Sequence, residues 1–262
     1  MLYSLSDASI YQFVGQYILP FFRITAFFLA APVFSSRIVS ARVKVVLGFS
    51  VSVLIVPLLP DIPPVVDLSL GTIILVFHQL VIGLAFGFLF QIVFQVFVLA
   101  GQFVAMKMGL GFAQMNDPAN GVSVTIISQF YLLTVTLLFF SVNGHLLLIE
   151  FIVSSFSVIP IGSGGLSAIQ FNDIVNLGSW MFSSALSIAL PILTSLLIIN
   201  VAFGIISRAA PQINIFAVGF PFTLICGLFF VWVELGDFVT LFSSFTEQGF
   251  NYAQSILGKP NV

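Results

Sequence analysis

Three features of the sequence predict an all-α, polytopic helical membrane protein of about six apolar segments. The first is composition: 60% of the 262 residues are hydrophobic and 6% charged, against about 25% charged residues in a soluble domain. The second is a set of apolar runs of membrane length, of which Thr72–Ala105 and Val124–Ile152 are the most continuous. The third is an uneven distribution of the few charges between the loops. A formal net charge of −2 and the lack of a basic run argue against nucleic acid as a partner. A single cysteine, Cys226 in an apolar run, rules out a disulfide framework or a cysteine-based metal site. The 32 phenylalanines are expected to face lipid or pack between helices.

The N-terminus lacks the basic n-region of a cleavable signal peptide, since its one early charge is Asp7. Leu2 stands where myristoylation needs glycine, and no C-terminal Cys box is present. Tyr11–Val33 is the first span candidate, although Pro20 and Arg23 are both costly in lipid. Ser35–Lys44 carries Arg37, Arg42 and Lys44, the densest basic cluster. Val45–Leu59 is short against the roughly 20 residues a span requires. A proline-rich acidic turn, Pro60–Asp67, follows. Leu68–Ala105 exceeds one straight span, and a bend is expected at Gly101-Gln102. Val124–Ile152 comes next, with a helix break expected at Asn143-Gly144-His145. Ser154–Ser179 reads as a polar connection. Trp180–Ile206 and Val218–Phe242 form a closing hairpin around Ser207–Ala217, and the polar tail from Ser243 ends in a short helix.

Alternating the loops from an outer N-terminus puts Arg37, Arg42, Lys44, Lys107 and Arg208 inside and only Lys259 outside. Basic residues favour the inner side, so both termini are expected outside.

The stretch Met106–Ser123 interrupts this pattern. Gly109, Gly111, Pro118 and Gly121 oppose regular structure, yet Met106, Met108, Leu110, Phe112 and Met115 keep it apolar. An irregular apolar segment between membrane helices is tolerated only inside protein or along an aqueous cavity. Two readings follow: a packed hydrophobic loop, or a deformable seal built on adaptable methionines.

Ionisable groups in or near apolar runs are Arg23, His78, His145, Glu150, Glu234 and Asp237. They would form a proton or ion relay, or sit at helix ends in local structural pairs. Neither a zinc-binding His-Glu-x-x-His nor a Gly-x-Ser-x-Gly elbow is present. Gly162-Ser163-Gly164-Gly165 reads as a flexible turn rather than a nucleophile site. No catalytic, cofactor-binding or metal residue is assigned. Gly83 and Gly87 form a small-xxx-small pattern that lets helices approach closely.

The central stretch, Asn143-Gly144-His145-Leu146 leading to Ile159-Pro160-Ile161-Gly162, and the turn Pro211-Gln212-Ile213-Asn214 together resemble the FliR/SctT family of type III secretion export-gate proteins. The likeness covers nearly the whole chain. Gly111-Phe112-Ala113 followed by Asp117-Pro118 is more similar to the flagellar branch than to injectisome homologues. This resemblance implies an inner-membrane protein at the flagellar basal body. Its implied partners are FliP, FliQ, FlhB and FlhA, and unfolded flagellar subunits are its implied cargo. It implies a FliP-like part over residues 1–179 and a FliQ-like hairpin with tail over 180–262. It also implies that loop 106–122 plugs the channel, through Met106, Met108, Gly109, Leu110, Gly111, Phe112, Met115, Asp117 and Pro118. Gln212 and Asn214, with Gly83 and Gly87, become expected subunit contacts. An ion-coupled secondary transporter is the competing class, but it wants midplane charge and inverted repeats. An intramembrane enzyme would need a nucleophile or metal set.

Overall fold

The computed structural model describes residues 7–34, 39–59, 62, 69–110, 125–162, 164–209 and 215–258. Eight α-helices and no strand occur among them. They are α1 (Asp7–Ala30), α2 (Ala41–Ile55), α3 (Leu70–Lys107), α4 (Ile126–Ser141), α5 (Gly144–Val158), α6 (Ala168–Ala209), α7 (Ile215–Glu234) and α8 (Phe238–Leu257). The chain is a helical membrane protein. Among the described residues Ala41–Leu58, Leu70–Lys107 and Ala168–Ala209 are each long and apolar enough to cross a bilayer, and two bent pairs raise the number to 5. Within α1, Gly15–Ala30 is a shorter apolar helix.

Several expected boundaries move, each for a local reason. The helix α3 continues through Gly101-Gln102 for 38 residues, so no break occurs there. Gly101 serves a close approach instead: a Cβ on it would lie 2.7 Å from the Cα of Ser128 on α4. Arg42 and Lys44 belong to α2, not to the loop before it, and Lys44 is buried. The expected polar connection shrinks to residues 159–167, because Ser167 and Gln170 form a capping box that starts α6 well before Trp180. The Ser167 N–H donates to Gln170 Oε1 at 2.9 Å, and the Gln170 N–H donates to Ser167 Oγ at 3.3 Å. The span expected to end at Phe242 instead breaks after Glu234, where α7 and α8 meet at 68°. The tail is a 20-residue helix, longer than expected.

The break at Asn143 is where the sequence places it. Asn143 takes left-handed backbone angles (φ 56°, ψ 29°), which asparagine tolerates better than most residues. Here α4 ends and α5 begins. Thr125 caps α4 by accepting the Ser128 N–H at 3.2 Å.

The chain divides into two compact units that interleave along the sequence. Unit 1 comprises Met1–Ile92, Asn143–Leu177 and Gly249–Val262; unit 2 comprises Val93–Val142 and Gly178–Gln248. Aromatic side chains fill both cores. In unit 1 Phe151 packs edge-on against Phe86 and Phe90, at 5.3 and 4.8 Å between ring centroids. In unit 2 Phe94 meets Phe139 at 5.2 Å, and Tyr131 meets Phe238 at 5.2 Å. Other phenylalanines, among them Phe49, Phe77, Phe182 and Phe229, stay exposed on apolar helix surface.

Candidate functional site

The apolar central stretch starts as helix. Met106 and Lys107 are the last turn of α3, and Met106 is exposed. The helix then stops in a Schellman motif: Gly109 N–H donates to the Met106 carbonyl at 3.1 Å, and Leu110 N–H to the Ala105 carbonyl at 2.9 Å. Gly109 takes φ 85°, a left-handed value that only glycine adopts without strain. Basic Lys107 followed by Gly109 is a helix-stop signal that the sequence carried.

Beyond the stop, the chain is held against α7. Met108 is fully buried, and a Cβ on Gly227 would lie 2.8 Å from both its Sδ and its Cε. A Cβ on Gly109 would lie 2.7 Å from Cε2 of Phe220. Phe220 and Gly227 are about two turns apart, on one face of α7. The root of the stretch is thus a packed anchor on the closing hairpin. Gly111, Phe112, Met115, Asp117 and Pro118 lie outside the described residues, as do Gln212 and Asn214.

Gly83 and Gly87 do admit a close helix approach, but the helix is α1 of the same chain. A Cβ on Gly87 would lie 2.7 Å from the Phe27 carbonyl oxygen and 2.7 Å from the Ala30 Cβ. A Cβ on Gly83 would strike the Arg23 carbonyl oxygen. The side on which a Cβ would stand is thus occupied by α1 of the same chain at both glycines.

Two of the ionisable groups are built into polar nodes. Arg23 of α1, in unit 1, is 0% exposed. Its Nε donates to Gln79 Oε1 at 2.7 Å, one terminal nitrogen to the Ser155 carbonyl at 3.1 Å, and the other to the Ile159 carbonyl at 2.9 Å. A longer bond reaches Ser155 Oγ at 3.3 Å, and the guanidinium lies 4.1 Å from the Phe156 ring centroid. All these partners are neutral. Ser155 and Ile159 sit at the C-terminus of α5, where carbonyls lack helical donors and the helix dipole favours a cation. Arg23 therefore ties α1, α3 and α5 together, and acts as a structural cation rather than a relay.

The second node is in unit 2. The buried Tyr131 hydroxyl of α4 donates to Glu234 Oε2 at the end of α7. Glu234 is half-buried and borders a cavity of about 410 Å³. His78 packs beside Gly165, His145 opens α5 after the break, and Glu150 and Asp237 are exposed. Among the described residues no group of three His, Cys, Asp or Glu could hold a metal ion.

Comparison with known proteins agrees with these sequence features. The family model for bacterial export proteins, family 1, matches residues 14–249. The chain is 35% identical over 247 residues to the flagellar biosynthetic protein FliR of Pectobacterium carotovorum subsp. carotovorum, covering 94% of this chain and 92% of that one. It is 36% identical over 219 residues to FliR of Escherichia coli strain K12, covering 83% of each. A more distant relative is the surface presentation of antigens protein SpaR of Shigella flexneri, 27% identical over 214 residues, with 81% of this chain and 82% of that one covered.

Proposed function

Because this chain belongs to the bacterial export proteins, family 1, in the FliR branch that serves flagellar biosynthesis, we propose that it is a channel subunit of the flagellar export gate. In this reading it assembles with FliP and FliQ, next to FlhB and FlhA, in the inner membrane at the basal body. Unfolded flagellar subunits are its cargo. The observation that carries the reading is the FliR likeness across more than four-fifths of both chains. The surface supports it. Helices α6 and α7 leave Phe182, Leu190, Ile198, Ile225, Phe229 and Trp232 exposed, a continuous demand for lipid or neighbouring helices.

Loop 106–122 is the proposed plug. A conduit wide enough for polypeptide also passes ions, so it must be sealed at rest and yield during export. The Schellman stop and the Met108 anchor give such a loop a fixed origin on α7. Gln212 and Asn214 are proposed to hydrogen-bond neighbouring subunits.

The test is to delete residues 111–115, which spares the Gly109 stop, and to measure both complex assembly and membrane conductance. Assembly should persist while conductance to small ions rises. An assembled deletion complex with wild-type conductance would refute the plug. Separately, the chain should co-purify in mild detergent with other helical membrane proteins. Recovery as a stable monomer or homodimer would favour a transporter instead.

A further inference from the structure

The cavity beside Glu234 has a chemistry that the described residues of the chain leave incomplete. Its wall includes Ser187, Pro191 and Ser195 of α6, Val233 and Glu234 of α7, and Asp237 at the bend before α8. Apart from the Ser187 hydroxyl, each polar side chain there is an acceptor or already donates inward. Ser195 Oγ gives its hydrogen to the Pro191 carbonyl at 2.8 Å, leaving lone pairs free. Pro191 has no N–H, so the Ser187 carbonyl loses its helical donor. Glu234 uses Oε2 for Tyr131, and among the described residues that hydroxyl is its one side-chain partner. None of the described residues lining the cavity is basic.

The rim differs from the wall. Val233, Trp232 and Phe229 on α7 are exposed at 54%, 68% and 54%, and Leu190 and Ile198 on α6 at 48% and 71%. An acidic notch is therefore set in an apolar surface. A carboxylate in such a setting is costly without a counter-charge. A free cation would answer the notch but leave the apolar rim bare. A helix that is apolar and carries one lysine or arginine answers both.

We propose that this notch receives a lysine or arginine side chain from a membrane helix of a different subunit, with Glu234 as its counter-ion and Asp237 as a second acceptor. The proposal rests on the assembly reading above, since it requires a neighbouring membrane helix. It names the chemistry of the contact.

The experiment places a photo-crosslinking benzoyl-phenylalanine at Val233 of the full chain in cells that export flagellin, and maps the captured peptide. Capture of a membrane helix with a Lys or Arg within about one turn of the crosslinked residue is expected. In that background Glu234→Gln should lower the crosslink yield several-fold and Glu234→Lys at least tenfold. Tyr131→Phe, which keeps the charge, should stay within twofold. Changing the partner's basic residue to Glu should restore the Glu234→Lys yield, which separates lost pairing from misfolding. Crosslinks to lipid alone, to a helix without a basic residue, or at an unchanged yield in Glu234→Lys would overturn the proposal. Flagellin secretion is measured in the same strains. An unchanged crosslink with lost secretion sinks this contact and spares the export reading. A charge-dependent crosslink, together with normal export in a separate strain from which this chain has been deleted, does the reverse.

Discussion

The two polar nodes solve the same problem in opposite ways. Arg23 in unit 1 is a buried cation with four of its five N–H donors spent inside the chain, on an amide, a hydroxyl and two carbonyls. Glu234 in unit 2 is a half-buried acid with one internal donor and a cavity on its free side. Both sit in apolar helices where ionisable groups are expensive. The closed node needs nothing from outside and fastens helices. The open one has no basic partner among the described residues. Charge in an apolar sequence is thus informative only once its partners are counted.

The largest expected effect comes from emptying the closed node. In Arg23→Leu the Gln79 amide oxygen and the Ile159 carbonyl lose their donor, and each buried unsatisfied group costs roughly 1–3 kcal/mol. Membrane levels and protease resistance of the full chain should collapse. Arg23→Lys should recover only part, because an ammonium lacks the planar fork that reaches Gln79, Ser155 and Ile159 at once. Wild-type levels of Arg23→Leu would break the comparison, since the node would then fasten nothing.

Glycine substitutions sharpen it. Gly87→Ala drives a methyl into the backbone of α1, so the helices must part, at about 1–3 kcal/mol. A fall in the thermal midpoint of the purified complex is the readout. The open node should respond less. Tyr131→Phe removes one hydrogen bond to a carboxylate and should cost roughly 1.5–3 kcal/mol, less than the several unsatisfied groups of Arg23→Leu together, again read as a midpoint shift with assembly retained. Smallest of all, Gly227→Ala meets only the flexible Met108 side chain, and less than about 1 kcal/mol is expected. A larger loss for Gly227→Ala than for Gly87→Ala, on the same assay, would mean that the anchor on α7 is the more rigid of the two packings.

Much of this fold was legible from residue type alone. The membrane class followed from the scarcity of charge, and the break at Asn143 from an asparagine-glycine pair that interrupts an apolar run. The stop at Gly109 and the capping box Ser167–Gln170 were written in the sequence and lay within reach of local rules, yet were outweighed by the polarity and glycine content around them. The continuity of α3 through Gly101 was not legible. A glycine that breaks a helix and one that admits a neighbour look the same until Ser128 stands beside it.

What the sequence determined by itself is whatever depends on short-range chemistry: apolar helices, their stops and caps, and membership of the FliR branch through motifs kept in order along the chain. Only the tertiary structure decided which groups meet. It gave Gly83 and Gly87 to α1 of the same chain, closed Arg23 over neutral partners more than fifty positions away, and left Glu234 open at a cavity. The physical reason is that in lipid nearly every helix face is apolar. Hydrophobic patterning therefore marks the helices without saying which face finds which neighbour, and that choice rests on shape and on a few polar contacts that only folding brings together.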